Sequence, residues 1–148
     1  MNTAFYRGLG GMISSLCALM VAGMMNASAQ DIASDAFTVT GPTASGYTLL
    51  QARRSDYADK IATVLITRAS GSEMLMEIAY RCEQNDYTYL AMRHNPARPI
   101  TQAALASLAR QSSQIMTTSL RALSFTSLTS DPYDAPLVSL KTHVCAAD

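Results

Sequence analysis

Residues 61–82 constrain the fold of this chain more tightly than any other stretch of it. Ile61 to Arg68 is a run of β-branched and aliphatic residues. Residues 73–82 then alternate, with Met74, Met76, Ile78, Tyr80 and Cys82 on one face and Glu73, Leu75, Glu77, Ala79 and Arg81 on the other. A period of two marks a strand. Ala69-Ser70-Gly71 lies between the runs. A three-residue hairpin loop needs left-handed backbone at its third position, which glycine adopts without a Cβ clash. Such a loop pairs Arg68 with Ser72, and so Ile66 with Met74 and Val64 with Met76. All four apolar side chains then share one face, so turn chemistry and hydrophobic pattern agree.

A third strand is expected over residues 87–94, after Glu83-Gln84-Asn85-Asp86. An odd-length loop puts Leu90 and Met92 on the Met74/Ile78 face and Tyr87, Tyr89 and Arg93 on the other, while an even-length loop reverses this. Apolar continuity favours the odd loop. Upstream, Tyr47 to Arg54 has the composition of a strand, and Ser55 to Asp59 reads as a turn. Residues 30–46 read as an N-terminal arm or an edge strand around Phe37-Thr38-Val39-Thr40.

Asn95-Pro-Ala-Arg-Pro-Ile100 ends the sheet, and Thr101 is a suitable N-cap. Leu105, Leu108 and Ile115 keep helical spacing, so a helix is expected near 102–113. Residues 114–130 are rich in Ser and Thr and fit helix, strand or loop alike. Near the end, Pro136 suits a first helical turn, and Asp131 and Asp134 lie beside its positive end, with Lys141 and His143 beside its negative end. Leu137, Leu140 and Val144 form an apolar stripe with Cys145 next to it.

The first 29 residues have the parts of a secretory signal peptide: Arg7, an apolar stretch from Met12 to Met25, and Ala27-Ser28-Ala29 before Gln30. Cys17 reads as an apolar member of that stretch, because Leu16 is not the small residue that lipid attachment requires. The expected division is a signal peptide over 1–29, an arm over 30–46 and one α+β domain over 47–148. Removal of the leader leaves Cys82 and Cys145, which in an exported domain most simply form one disulfide. The rival reading, a catalytic thiol, lacks a neighbouring base or a C-x-x-C arrangement in sequence. The tether would join a short terminal helix to the apolar face of the sheet. After cleavage no long apolar run remains, so no membrane span is expected.

Lys+Arg 11 balance Asp+Glu 11, and loss of Arg7 leaves a net charge near −1. That is a poor charge balance for a nucleic-acid binder. His94 and His143 stand 49 positions apart without a surrounding ligand cluster, so neither a metal nor a cofactor is expected. No Gly-x-Ser-x-Gly elbow or glycine-rich phosphate loop occurs. A small hydrolase using His143 or His94 would need a base or acid brought in by the fold. Met74, Met76 and Met92 read as core. Tyr80, Tyr87 and Tyr89 with Arg81 and Arg93 form the densest aromatic and basic cluster. Such residues anchor protein interfaces, so Tyr87, Tyr89, Arg81 and Arg93 are the candidate contact residues.

The meander over about 61–94, Cys82 in its middle strand and Leu137-Val-Ser-Leu-Lys-Thr-His-Val-Cys145 together resemble the surface-adhesin protein E family of exported bacterial proteins. The resemblance implies an antiparallel sheet with a C-terminal helix fixed to its face by a disulfide, and adhesion by surface contact without catalysis. The sequence thus predicts an α+β domain: an antiparallel meander of four or five strands covered on one face by helices, with the last helix tethered. The expected function is a non-enzymatic binding protein of the periplasm or cell surface with a protein partner. An inhibitor or accessory subunit of an envelope complex is the alternative within the same class.

Overall fold

A computed structural model describes residues 37–118 and 123–146. The expected signal peptide and the first part of the arm lie outside the described residues. One antiparallel sheet contains six strands in sequence order: β1 (Thr38–Gly41), β2 (Ala44–Ser55), β3 (Ala58–Arg68), β4 (Glu73–Arg81), β5 (Asp86–His94) and β6 (Thr126–Ser127). Helix α1 (Gln102–Thr118) lies between β5 and β6 in the chain, and α2 (Ala135–Ala146) follows β6. The fold is α+β.

The β3–β4 hairpin has the expected register, with Ile66 opposite Met74 and Val64 opposite Met76. Gly71 has φ +83°, and its N–H donates to the Arg68 carbonyl at 2.9 Å. At the β2–β3 turn the Ser55 hydroxyl accepts from the backbone N–H of Ala58 at 3.1 Å, closing the loop around Asp56 and Tyr57. Residues 38–41 form an edge strand paired with β2, so the described part of the arm belongs to the sheet.

Helices pack on both faces, because the strands bury both. On one face Leu137, Leu140 and Val144 of α2 join Val64, Ile66, Met74, Met76, Ile78 and Tyr80. On the other, Leu105 and Leu108 of α1 meet Leu75, Ala91 and Ile100, and Met116 meets Ile61, Ala79 and Leu90. The sequence expectation placed both helices on the Met74 face. The alternate positions Leu75, Ala79 and Ile61 are themselves fully buried and need their own cover. Helix α1 starts under a Thr101 N-cap, whose hydroxyl accepts from the Ala104 N–H at 3.2 Å. It continues to Thr118, five residues past the expected end. Thr117 and Thr118 tolerate this by donating back to the carbonyls of Ser113 (3.0 Å) and Gln114 (2.7 Å).

Cys82 and Cys145 are disulfide-bonded with Cα atoms 5.9 Å apart. The bond ties the C-terminal turn of α2 to the end of β4. At the other end of α2, Pro136 packs against Gly41. A Cβ on Gly41 would sit 2.6 Å from the Pro136 ring, so the close approach requires glycine there. Lys141 donates to the Asn85 side-chain oxygen at 3.0 Å, adding a polar contact from α2 to the β4–β5 turn.

Candidate binding face

Strand β5 departs from the expected phase in a way that builds the site. Arg81 pairs with Asp86, so the β4–β5 loop spans the four residues 82–85 and is even. Tyr87 pairs with Tyr80 and Tyr89 with Ile78, which puts both tyrosines on the α2 face. A β-bulge then shifts the register opposite Glu77 and Ile78, so that Ala91 faces Glu77 and Met92 faces Met76. Leu90 is the extra residue. It turns to the α1 face beside Ile61 and Ala79, where it is 5 % exposed. Met92 therefore lies on the Met74/Ile78 face and Arg93 on the other, as expected, while Tyr87, Tyr89 and Leu90 are exchanged. The bulge lets Leu90 and Ala91 fill the α1 core without displacing the tyrosines from the α2 side.

The four candidate contact residues consequently divide. Tyr87 and Tyr89 form an edge-to-face pair with centroids 5.3 Å apart on the α2 face. Arg81 lies on the other face, where its Nε donates to Asp86 at 2.9 Å and its Nη2 pairs with the same carboxylate. The Arg81 guanidinium also sits 4.2 Å above the Phe125 ring, and the Asp86 hydrogen bond holds it protonated. Arg93 reaches the Ser107 hydroxyl of α1 at 3.4 Å. Both arginines are thus engaged in holding the fold.

Helix α2 covers the β1–β3 side of its face and leaves the β5 side open. Met92 is 50 % exposed and Tyr89 46 %, among the largest apolar side chains left on the surface. Beside Tyr89 runs a crevice of about 310 Å³, floored by Ala44, Ile66, Met74 and Met76 and walled by Tyr47 and Tyr89. Thr43 and Arg68 stand at its mouth. The floor follows from the register, since Tyr47, Ile66 and Met74 are successive cross-strand neighbours on this face. The half-exposed Tyr89 is raised above the ordinary tyrosine value first by desolvation of its covered part and then by Tyr87, and the buried Tyr80 is raised first by desolvation and then by Tyr89. Both stay neutral hydrogen-bonding groups across physiological pH. Next to the open area, β6 pairs with β5 only at Asp86 and Tyr87 among the described residues.

The histidines occupy separate places. His143 stacks on Phe37 at 4.1 Å beside β1, while His94 is opposite Met74 on β5. Among the described residues no group of three or more His, Cys, Asp or Glu side chains is arranged to hold a metal. One polar cluster escaped sequence reasoning. Glu77 is fully buried under α1, where it accepts from Arg53 Nη2 at 2.8 Å and from the Thr63 hydroxyl at 3.0 Å. Gln51 donates to the same hydroxyl at 3.4 Å. The only hint in sequence was the alternation itself, which set Glu77 between Leu75 and Ala79. The cluster is closed over by α1 and ties β2, β3 and β4 together.

No protein-family model, curated protein or solved structure matches this chain.

Proposed function

We propose that this chain is an exported, non-enzymatic binding protein of the periplasm or cell surface. It acts through surface contact with a protein partner, adhesin-like in the sense the protein E resemblance implies. The observation that carries this reading is the half-covered α2 face, where Tyr89 and Met92 stand exposed beside a methionine-floored crevice. Aromatic and methionine side chains are enriched at protein interfaces, and methionine adapts its shape to a partner. The disulfide supports an oxidising compartment. No helix among the described residues is long and apolar enough to cross a membrane. A net charge near −1 after the leader favours a protein partner over nucleic acid.

The test is affinity capture from envelope extract with the wild-type protein and a Tyr89→Ser/Met92→Ser variant. Both side chains are exposed, so the variant should fold and melt like the wild type. Capture of a partner by the wild type and its loss with the variant are expected. A partner retained equally by both would refute this face as the binding surface.

A further inference from the structure

The Cys82–Cys145 bond lies between two unlike environments. On one side Cys145 packs against the apolar cluster that holds Leu140 and Val144. On the other, both cysteines line a cavity of about 400 Å³ whose remaining lining is Arg54, Ser55, Asp59, Lys60 and Glu83. No large apolar side chain lines that cavity, and neither cysteine is fully buried. An open polar cavity admits a hydrated thiolate, the species that attacks a disulfide, where an apolar core would exclude it.

The two ends of the bond are also held unequally. Cys82 directly follows β4, and its backbone N–H donates to the Asp59 carboxylate of β3 at 2.7 Å. Cys145 is the last residue but one of α2. The opposite end of that helix is fixed independently, by the Tyr80 hydroxyl on the Leu137 carbonyl at 3.2 Å and by Pro136 against Gly41. Opening the bond therefore leaves Cys82 in place and releases the C-terminal turn of α2.

We propose that the disulfide is a redox switch, opened by a dithiol in the folded protein, and that α2 then loosens from its Cys145 end. One thiolate of the dithiol attacks a sulfur of the bond, the S–S bond breaks, and the other cysteine leaves as a thiolate. The second thiolate of the dithiol attacks the mixed disulfide and releases the first cysteine. Two electrons pass to the chain, the dithiol becomes a disulfide, and its two protons reach the cysteines by way of water. The loosened turn uncovers part of the apolar cluster now closed by Leu140 and Val144.

Reduction of the disulfide-bonded protein by dithiothreitol, quenched with a thiol-alkylating reagent and read by mass spectrometry, tests the first step. The folded protein should be reduced within about a hundred-fold of the rate for the urea-unfolded chain. Leu105→Ala, which weakens the core on the opposite face of the sheet, should leave that rate unchanged. A bond reached only through global unfolding would be reduced about a thousand-fold or more slowly than in the unfolded chain, and Leu105→Ala would speed it about thirty-fold or more. Hydrogen exchange of the reduced protein tests the second step. Amides of residues 142–146 should exchange about ten-fold or more faster, while those of β3 and β4 keep their protection. Reduction that follows global unfolding, α2 amides that exchange as before, or loss of protection throughout the sheet would each overturn the switch.

Discussion

The Tyr80 hydroxyl, fully buried beneath α2, donates to the Leu137 carbonyl in the first turn of that helix at 3.2 Å. This bond and the disulfide hold α2 near its two ends. Burial raises the Tyr80 phenol well above its ordinary value of 10.0, and the neighbouring Tyr89, Tyr87 and Tyr47 add to the shift. The folded state therefore keeps this proton longer than the unfolded chain does. Its contribution is complete below about pH 10 and is lost as pH rises from there towards the folded value. Stability should fall above about pH 10, with Tyr80 alone contributing a slope of about 1.4 kcal/mol per pH unit. Tyr80→Phe should cost about 1 kcal/mol at neutral pH yet show a shallower alkaline decline. Urea midpoints from pH 7 to 11 for the two proteins check both halves.

Cys82 and Cys145 close a loop of 63 positions. Opening it should cost up to about 4 kcal/mol in the chain-entropy picture. Cys145→Ser and Cys82→Ser should lose similar amounts, and the double variant no more than either, because all three lack one bond. Release of α2 would uncover Val64, Met76 and Ile78, so the variants should also bind a hydrophobic dye. Wild-type melting in the single variants would mean that packing alone holds α2.

Met74 and Glu73 are adjacent on β4 and face opposite ways. Met74 is 9 % exposed against α2, whereas Glu73 forms a surface pair with Arg98 at 2.8 Å. Met74→Asp should cost several kcal/mol as an unpaired buried carboxylate, and Glu73→Ala less than about 1 kcal/mol. Equal denaturation midpoints would place β4 in the wrong phase.

Glu77 and Arg53 form a pair in which the carboxylate is wholly buried. Glu77→Ala should cost about 3–5 kcal/mol, since it strands Arg53 and the Thr63 hydroxyl. Replacing both partners by apolar residues, as in Arg53→Met/Glu77→Leu, should recover much of that loss. Nearby on α1, the Ser112 hydroxyl is buried without a hydrogen-bond partner. Ser112→Ala should therefore be neutral or stabilise the protein by up to about 1 kcal/mol. Chemical denaturation of the four proteins measures this directly.

The features legible in sequence were those set by neighbours along the chain. Gly71 and the alternation on either side of it specify one hairpin register between them, and that register is the one found. The Cys82–Cys145 bond was legible because Cys17 falls in the expected leader, which leaves two cysteines to pair. The phase of β5 was not, because its bulge answers a demand from α1 for both Leu90 and Ala91, and nothing near Leu90 records that demand. The stripe of α1 was half legible. Leu105 and Leu108 are buried as expected, but Ser112 and Met116 complete the buried face where Ile115 was expected to. The Arg53–Glu77 pair joins residues 24 positions apart on two strands separated by β3, a proximity that only the assembled sheet creates. The crevice is of the same kind, since its lining comes from four strands.

Whether the Tyr89/Met92 face meets a protein partner, as proposed, is tested most directly by site-specific photo-crosslinking in cells. A photoreactive phenylalanine analogue would replace Tyr89 or Met92 on this face, and Ala106 on the exposed side of α1 as the control. Positions 89 and 92 should yield one discrete protein adduct that position 106 does not. Adducts from position 106 alone, or the same adduct from both faces, would refute the Tyr89/Met92 face as the contact surface.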